Sequence, residues 1–346
     1  MTASTASPLP SVNRQFILRA RPVGMPKESD FQLVEARIPA LTQGQLLLAT
    51  LFLSVDPYMR GRMTGIRTYA DPVDIGQVMV GGTVGKVIQT THPQFQVGDV
   101  VAGYWGWQEF AVSDGKGLQK LDPQVAPPST ALGVLGMPGM TAYFGFLDIC
   151  QPKPAESVVV SGAAGAVGSL VGQIAKIKGC RAVGIAGSDD KIRWLTGELG
   201  FDAAFNYKTS GNYAQTLKEF CPRGIDCYFD NVGGPLTDAV LPLLNLRARM
   251  SICGQISQYN AAQPEPGVRP YIHLLTKQAR AEGFIVSQFA DRFHQGVRQM
   301  AEWLKEGKLK YRETVIEGFE NMPRALIGVL GGDNTGKMLV AVRQAL

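Results

Sequence analysis

An apolar, strand-like run that passes directly into three glycines places the strongest constraint on the fold of this chain. The run begins at Val158, and Gly162, Gly165 and Gly168 follow at intervals of three, just before a helix-like stretch. Glycines between a strand and a helix let the backbone approach a phosphate group at the helix N-terminus. A lone glycine triplet also serves simple packing, and the spacing is GxxGxxG rather than GxGxxG. Because a second strand candidate begins 13 residues beyond Gly168, the sequence favours a dinucleotide-binding site.

From about residue 130 onward, short apolar runs alternate with helix-like stretches, the pattern of a parallel sheet covered by crossover helices. Gly179 is placed to end the first helix, Asp189 and Asp190 to begin the next, and Gly200 to close it. A longer amphipathic helix is predicted over Asp291–Lys305. Six strands fit a doubly wound α/β domain, and the candidates are Ser157–Ser161, Arg181–Ala186, Ala203–Tyr207, Ile225–Asn231, Arg249–Cys253 and Gly283–Ser287.

Residues 15 to about 120 have a different pattern, with short alternating segments separated by Gly, Pro and Asp turns. Strands are predicted within Gln45–Leu51, Val78–Ile88 and Val97–Tyr104, with a tight turn at Gly98. A last strand is predicted over Lys337–Val342. The length of 346 residues agrees with about two domains.

The end of the second strand of the α/β part indicates which dinucleotide fits. An NAD site places an acidic residue about 20 residues beyond the glycines, where it binds the ribose hydroxyls. Here Gly187 and Ser188 occupy that place and Lys191 follows, so there is room and charge for a 2′-phosphate. Asp189 and Asp190 argue against this unless they point to solvent. The sequence therefore favours NADPH over NADH, although Lys191 could also be an ordinary solvated lysine.

The charge and hydropathy patterns argue against nucleic-acid and membrane partners. The chain has 34 Lys and Arg against 29 Asp and Glu, a net charge of +5, and no long basic run. The longest uncharged run, between Asp122 and Asp148, is interrupted by prolines and glycines, so no membrane span is expected. Met1 to Pro10 are predicted to form a frayed tail without a secretory signal.

The cysteines and histidines indicate reduced thiols and no metal site. Five cysteines occur without a CxxC pair, an odd number that favours the reducing cytoplasm. The three histidines have no cysteine or carboxylate partners at ligand spacing. We therefore expect no metal.

Five motifs follow one another along the chain: Asp56–Arg60, Gly136–Tyr143, Ser161–Gly168, Asp230–Gly234 and Cys253–Asn260. In order and spacing they resemble the zinc-free medium-chain dehydrogenase/reductases. Within that family the chain is similar to the leukotriene dehydrogenase/prostaglandin reductase branch, which includes plant alkenal double-bond reductases and bacterial curcumin reductases. Where zinc dehydrogenases have Gly-His-Glu, the chain has Val80–Gly85. The similarity extends from Arg14 to nearly the end of the chain.

The resemblance implies a GroES-like β-rich catalytic domain over residues 1–130, completed by 310–346, and a Rossmann domain over 131–309. It also implies a homodimer. Tyr58 and Tyr259 match tyrosines at the substrate pocket. The implied cofactor-binding residues are Gly165, Ala166, Val167, Gly168, Gly187, Ser188, Lys191, Tyr207, Asn231, Cys253, Gly254, Gln255, Ile256, Ser257, Tyr259, Phe284, Ile285, Val286 and Asn334.

Taken without the resemblance, several of these residues have structural explanations. Tyr207 could close a strand, and Tyr58 could fill the core beside Pro57. Asn231 before two glycines suits a turn, and Cys253 could be a buried small hydrophobe.

The expected activity follows from the missing zinc. Zinc polarises a carbonyl for hydride transfer, so a zinc-free site suits a substrate that is already electrophilic, such as a C=C bond conjugated to a carbonyl. This argument agrees with the resemblance, which implies NADPH-dependent reduction of small α,β-unsaturated aldehydes and ketones, with hydride added at the β carbon. A quinone reductase, or a non-catalytic NADPH-binding relative of the crystallin or RNA-binding kind, remains the alternative.

Overall fold

The computed structural model describes residues 10–263 and 265–343. The tail predicted for Met1 to Pro10 therefore lies almost entirely outside the described residues. The strands are, in chain order, β1 (Val12–Leu18), β2 (Phe31–Arg37), β3 (Leu46–Ser54), β4 (Thr83–Thr90), β5 (Val100–Gly103), β6 (Phe110–Ser113), β7 (Gln119–Leu121), β8 (Ser157–Val160), β9 (Arg181–Ala186), β10 (Ala203–Asn206), β11 (Ile225–Asp230), β12 (Leu244–Ile252), β13 (Arg280–Gly283), β14 (Glu313–Glu317) and β15 (Lys337–Ala341).

The helices are interspersed with short 3₁₀ turns, and none in the described part of the chain is long and apolar enough to cross a membrane. They are α1 (Tyr58–Arg62), α2 (Met137–Leu147), α3 (Gly168–Ile177), α4 (Asp189–Gly197), α5 (Tyr213–Phe220), α6 (Gly234–Val240), α7 (Tyr271–Lys277), α8 (Phe293–Lys305) and α9 (Met322–Gly331).

A six-stranded parallel sheet forms the centre of the α/β part, in the order β10-β9-β8-β11-β12-β13. All four residues of β8 are buried, as expected for a central strand with helices on both faces. The chain reverses its direction of travel across the sheet between β8 and β11, and ligands bind at such a point, beyond the carboxyl ends of the strands. The doubly wound fold is therefore confirmed.

The remaining strands form a second, mixed sheet and a small hairpin. β1 and β2 pair antiparallel, and the larger sheet has the order β14-β15-β3-β4-β5-β7, with β6 also paired to β3. β14 and β15 thus come from the C-terminal end of the chain to complete the N-terminal sheet. On this basis we propose the two domains as residues 1–130 with 310–346, and residues 131–309.

Several element boundaries differ from the sequence-based prediction. The sixth parallel strand is Arg280–Gly283, and the predicted strand over Gly283–Ser287 is wrong because the chain enters a 3₁₀ helix at Val286. Phe284 is apolar because its ring packs against Gly145 of α2, where an added Cβ would collide with it. In the N-terminal sheet, β4 begins only at Thr83, because the chain before it pairs through the isolated bridge of Ile17 with Val78.

The other differences are small. The strands predicted to end at Ser161, Tyr207, Asn231, Cys253 and Val342 each end one residue earlier, and β12 begins at Leu244, five residues before the prediction. The long helix begins at Phe293 rather than Asp291. Gly179 and Gly200 both have positive φ and follow the helices that they were expected to end.

Candidate active site

A deep cleft of about 980 Å³ runs between the two sheets. Its walls come from the glycine segment after β8, the ends of β9 and β11, the segment after β12, and α1 with the loops of the N-terminal sheet. Most of the predicted site residues line this cleft. They are Tyr58, Gly165, Ala166, Val167, Gly168, Gly187, Lys191, Tyr207, Asn231, Cys253, Gly254, Ile256, Ser257, Tyr259, Phe284, Ile285, Val286 and Asn334.

The glycine segment makes a turn with no space for side chains. Gly162 has a φ of +59°, a left-handed conformation that favours glycine. A Cβ on Gly168 would lie 2.8 Å from Cα of Ala163 and would also collide with the Gly162 carbonyl. α3 begins at Gly168, so the positive end of its dipole faces the cleft. The backbone and the helix dipole together can hold an anion without any charged side chain.

The segment is also joined to the N-terminal sheet. The amide of Gly336, just before β15, donates to the Ala164 carbonyl at 2.8 Å. Asn334 lines the cleft from the same connection. The two halves of the molecule are therefore held together beside the glycines.

Two lysines and a tyrosine gather at the end of β9. Tyr207 covers Gly187, where an added Cβ would lie 2.9 Å from the ring. Lys191 donates to the Gly332 carbonyl at 2.5 Å, and Lys208 lines the same part of the cleft. Burial, and then the charge of Lys208, lower the pKa of Lys191. Two neighbouring cations without an ion-pair partner among the described residues suit a doubly charged phosphate.

The acidic residues that could have contradicted a phosphate site lie outside the cleft. Asp189 is exposed and accepts from the side chain of Asn206 at 2.8 Å. Asp190 pairs with Arg193 on the solvent side of α4. Ser188 does not line the cleft either: its hydroxyl caps α4 by accepting from the Lys191 amide at 3.4 Å.

A buried carboxylate organises the turn after β11. Asp230 is only 1% exposed, and its Oδ1 accepts from the hydroxyls of Ser161 and Tyr228 and from the amides of Val232 and Gly233. Asp230 was not among the predicted site residues, although its place before Asn231 in one of the five motifs was a signal. These bonds fix the turn that presents Asn231, whose side-chain amide donates to the Ser161 carbonyl at 2.7 Å.

The segment after β12 folds back over this turn. The hydroxyl of Ser257 donates to the Val232 carbonyl at 2.7 Å, and that of Tyr259 accepts from the Gln255 amide at 3.4 Å. Burial raises the pKa of Tyr259 and raises that of Cys253 to about 12. Gln255 itself packs against Gly233 and faces a separate cavity of about 590 Å³.

Tyr58 lies on the opposite wall, at the start of α1. Burial, and then the carboxylate of Asp56, raise the pKa of its hydroxyl. Sequence reasoning missed three neighbours that line the same end of the cleft: Arg62, Tyr69 and Tyr104. Arg62 could have been found, because it is four residues beyond Tyr58 and so shares its helix face. No local signal marks Tyr69 or Tyr104.

A buried ion pair fixes the position of α1. Lys337 is 4% exposed and Asp56 is 5% exposed, and Lys337 Nζ lies 3.2 Å from Oδ1 of Asp56. Lys337 also donates to the carbonyls of Val55 and Met338 at 2.7 Å each, while Ser54 donates to the other Asp56 oxygen. Both charged groups are therefore fully paired. Because Lys337 lies in β15 and Asp56 lies two residues before Tyr58, the cluster holds β15 against the start of α1.

A second link joins α1 to the segment that carries Tyr259. Arg60 donates to the side-chain oxygen of Asn260 at 3.1 Å and to the carbonyls of Pro22 and Gly24. Tyr58 and Tyr259 thus belong to segments that are bonded to each other across the cleft.

Comparison with known proteins agrees with this architecture. The family described as the N-terminal domain of oxidoreductase matches residues 14–121, and the family described as zinc-binding dehydrogenase matches residues 166–306. The chain is 50% identical over 331 residues to a putative NADP-dependent oxidoreductase of Bacillus subtilis (strain 168), covering 95% of this chain and 97% of the relative. It is 49% identical over 335 residues to the NADPH-dependent curcumin reductase of Escherichia coli (strain K12), covering 95% and 97%.

The chain belongs to the medium-chain dehydrogenase/reductases. Within them it falls in the branch of the curcumin, prostaglandin and alkenal reductases. The crystal structure of CurA from Vibrio vulnificus in complex with NADPH has a TM-score of 0.92 at 48% identity, covering 96% of this chain and all of that one. The family and fold class predicted from the motifs are confirmed. A medium-chain reductase is an oxidoreductase, so the chain is an enzyme.

The description of one matching family mentions zinc. Within the residues that the structure describes, no three His, Cys, Asp or Glu side chains come together in a way that could hold a metal ion.

Proposed function

We propose that this chain reduces the C=C bond of α,β-unsaturated aldehydes and ketones with NADPH. The observation that carries the proposal is the cleft itself, which joins a phosphate-binding end built from glycines and lysines to an end lined by tyrosines. The CurA structure of similar sequence was solved with NADPH, and related enzymes are named for curcumin, prostaglandin and alkenal substrates.

The residues present fit the cofactor. The turn at Gly165 to Gly168 leaves room only for backbone, which suits a pyrophosphate at the N-terminus of α3. Lys191, Lys208 and Tyr207 suit the 2′-phosphate, since no carboxylate of the cleft lies with them. Asn231, the segment from Cys253 to Tyr259, Phe284 to Val286 and Asn334 would surround the nicotinamide half. Ser188 would act indirectly, by capping the helix that carries Lys191.

When bound, NADPH supplies the hydride. The hydroxyls of Tyr58 and Tyr259 keep their protons at neutral pH, because burial raises the pKa of both above the ordinary value for tyrosine. A protonated hydroxyl can donate a hydrogen bond to the carbonyl oxygen, where negative charge gathers as the β carbon is reduced. The two tyrosines therefore orient the enone and stabilise the enolate, and solvent protonates the α carbon.

One experiment tests this function. The chain is given NADPH deuterated at C4 on the transferred face, with a panel of alkenals, enones and quinones. We expect a saturated carbonyl product with deuterium at the β carbon and a solvent-derived α hydrogen. Deuterium at the carbinol carbon of an allylic alcohol would contradict the proposal. Fast turnover of quinones alone would favour a quinone reductase, and no turnover would favour a non-catalytic relative.

We expect the activity to be independent of metal. A strong chelator should leave turnover unchanged. If the purified enzyme contains stoichiometric zinc and loses its activity when the zinc is removed, this expectation is wrong.

We also propose that the enzyme is a homodimer. β13 is an edge strand in the described part of the sheet, pairing only with β12. The adjacent α7 buries no residue, and Tyr271, Ile272 and Leu275 are all more than half exposed. An open strand edge beside exposed apolar side chains suits pairing with a second copy of the chain, which sedimentation analysis can test.

The proposed location is the cytoplasm. All five cysteines are free thiols and four are buried, as suits a protein of a reducing compartment.

A further inference from the structure

Arg62 lies in the wall of the cleft without a partner. Its Nε is buried and has no hydrogen bond, and none of the ion pairs among the described residues includes its guanidinium. The carboxylate of Asp56, in the same wall, is already occupied by Lys337 and Ser54. A buried donor without a partner is unfavourable, and an arginine more so because its charge persists at every physiological pH.

The arginines around it have partners that Arg62 lacks, although Nη1 of Arg60 is also buried without a hydrogen bond. Arg60 binds Asn260 and two carbonyls, and Arg21 binds the carbonyls of Met63 and Val73. Arg67 pairs with Asp71 outside the cleft. These three have evident structural roles. The guanidinium of Arg62 makes no hydrogen bond or ion pair with the described residues, so its charge is available to a ligand.

The position of Arg62 indicates which ligand it would meet. It is one helical turn from Tyr58, and its charge acts on the hydroxyls of both Tyr58 and Tyr69. The lysines suited to the cofactor phosphate lie beside the other sheet, Lys191 in α4 and Lys208 after β10. Arg62 therefore faces the tyrosine-lined end, where the proposed function places the substrate.

We propose that Arg62 makes the enzyme select enones that carry a carboxylate apart from the double bond. This inference rests on the proposed function and deepens it. A guanidinium binds a carboxylate through two parallel hydrogen bonds, a geometry that lysine does not reproduce. The carboxylate would provide the partner that Arg62 lacks and would hold the substrate with its carbonyl towards the tyrosines.

The test compares two substrates of almost equal size, 4-(4-carboxyphenyl)but-3-en-2-one and its methyl ester. With the unaltered enzyme we expect kcat/KM for the acid to exceed that for the ester about 10-fold or more, mainly through KM. Arg62→Gln should bring the ratio close to one, because kcat/KM should fall more for the acid than for the ester. Arg62→Lys should keep part of the preference, and added salt should weaken it.

The matched control is Arg67→Gln, which removes an exposed arginine outside the cleft and should leave the ratio unchanged. A ratio near one in the unaltered enzyme would overturn the inference, and so would a ratio that Arg62→Gln does not alter. A rise in the KM for NADPH that is equal with both substrates would assign Arg62 to the cofactor instead. If neither compound is reduced, the proposed function itself fails; if the ester is reduced but the acid is not preferred, only this inference fails.

Discussion

The two ends of the cleft are built in different ways. The phosphate-binding end comes mainly from short continuous stretches of one sheet, in which a strand, a tight turn and a helix follow one another. The tyrosine-lined end is assembled from α1, from the loops that carry Tyr69 and Tyr104, and from the distant Tyr259. The first depends on local backbone geometry, and the second on how separate segments dock. We therefore expect substitutions at the phosphate-binding end to weaken the binding of NADPH, and substitutions at the tyrosine-lined end to slow turnover.

The largest effect is expected at the tyrosine-lined end. Tyr259→Phe and Tyr58→Phe each remove a hydroxyl that can stabilise the enolate, and the loss of such a donor costs about 10²–10³-fold in kcat. We expect kcat/KM for enones to fall by up to this amount and the Kd for NADPH to change less. Steady-state kinetics and fluorescence titration of NADPH measure the two quantities. Full activity in both variants would mean that the tyrosines only pack.

At the phosphate-binding end, Lys191→Ala should weaken the binding of NADPH but not that of NADH. A charge-assisted bond to a phosphate is worth about 1.5–3 kcal/mol, so the KM for NADPH should rise about 10- to 150-fold. The KM for NADH should hardly change, because NADH has no 2′-phosphate. Equal KM values for the two cofactors in the unaltered enzyme would contradict the assignment.

The difference between the two ends of the cleft also explains which parts of the fold and of the candidate site could be predicted from the sequence. The glycine turn, the first five parallel strands and the residues proposed to hold the cofactor phosphates have local signals, because a strand before Gly162 or a missing acid at Gly187 is visible in a short window. The sixth strand could not be placed correctly, since Phe284 is apolar for packing on α2 rather than for a place in the sheet.

At the tyrosine-lined end, motif resemblance identified Tyr58 and Tyr259 but nothing local identified Tyr69 or Tyr104. Tyr104 follows a short strand and is 72% exposed in the folded chain, so only its place in the wall of the cleft distinguishes it from an ordinary surface residue. The same holds for the bond between Arg60 and Asn260, which joins residues 200 positions apart.

A smaller effect is expected from Gly168→Ala, which tests whether the phosphate end depends on backbone shape. The added Cβ would meet the backbone at Gly162 and Ala163, and such overpacking costs about 1–3 kcal/mol. We expect weaker NADPH binding and a lower Tm. The matched control is Gly197→Ala in α4, where nothing lies within 4 Å of the added atom. It should leave binding unchanged and raise stability by about 0.5–1 kcal/mol. Equal behaviour of the two variants would contradict the steric argument.

The smallest effect on turnover is expected at Cys253, which lines the cleft. Burial, and then the charge of Asp230, raise the pKa of its thiol from 9.0 to about 12. Only the thiolate attacks electrophiles, so at pH 8 this cysteine should react about a thousandfold more slowly than one with an ordinary pKa. A cleft that receives electrophilic enones is thereby protected from alkylation by its own substrates. The rate of labelling at Cys253 by iodoacetamide, followed by peptide mass spectrometry, should keep rising about tenfold per pH unit from 8 to 10, and NADPH should slow it. Cys253→Ala should abolish that label and change kcat less than about threefold. A labelling rate that levels off between pH 9 and pH 10 would show an unshifted thiol and would contradict this protection.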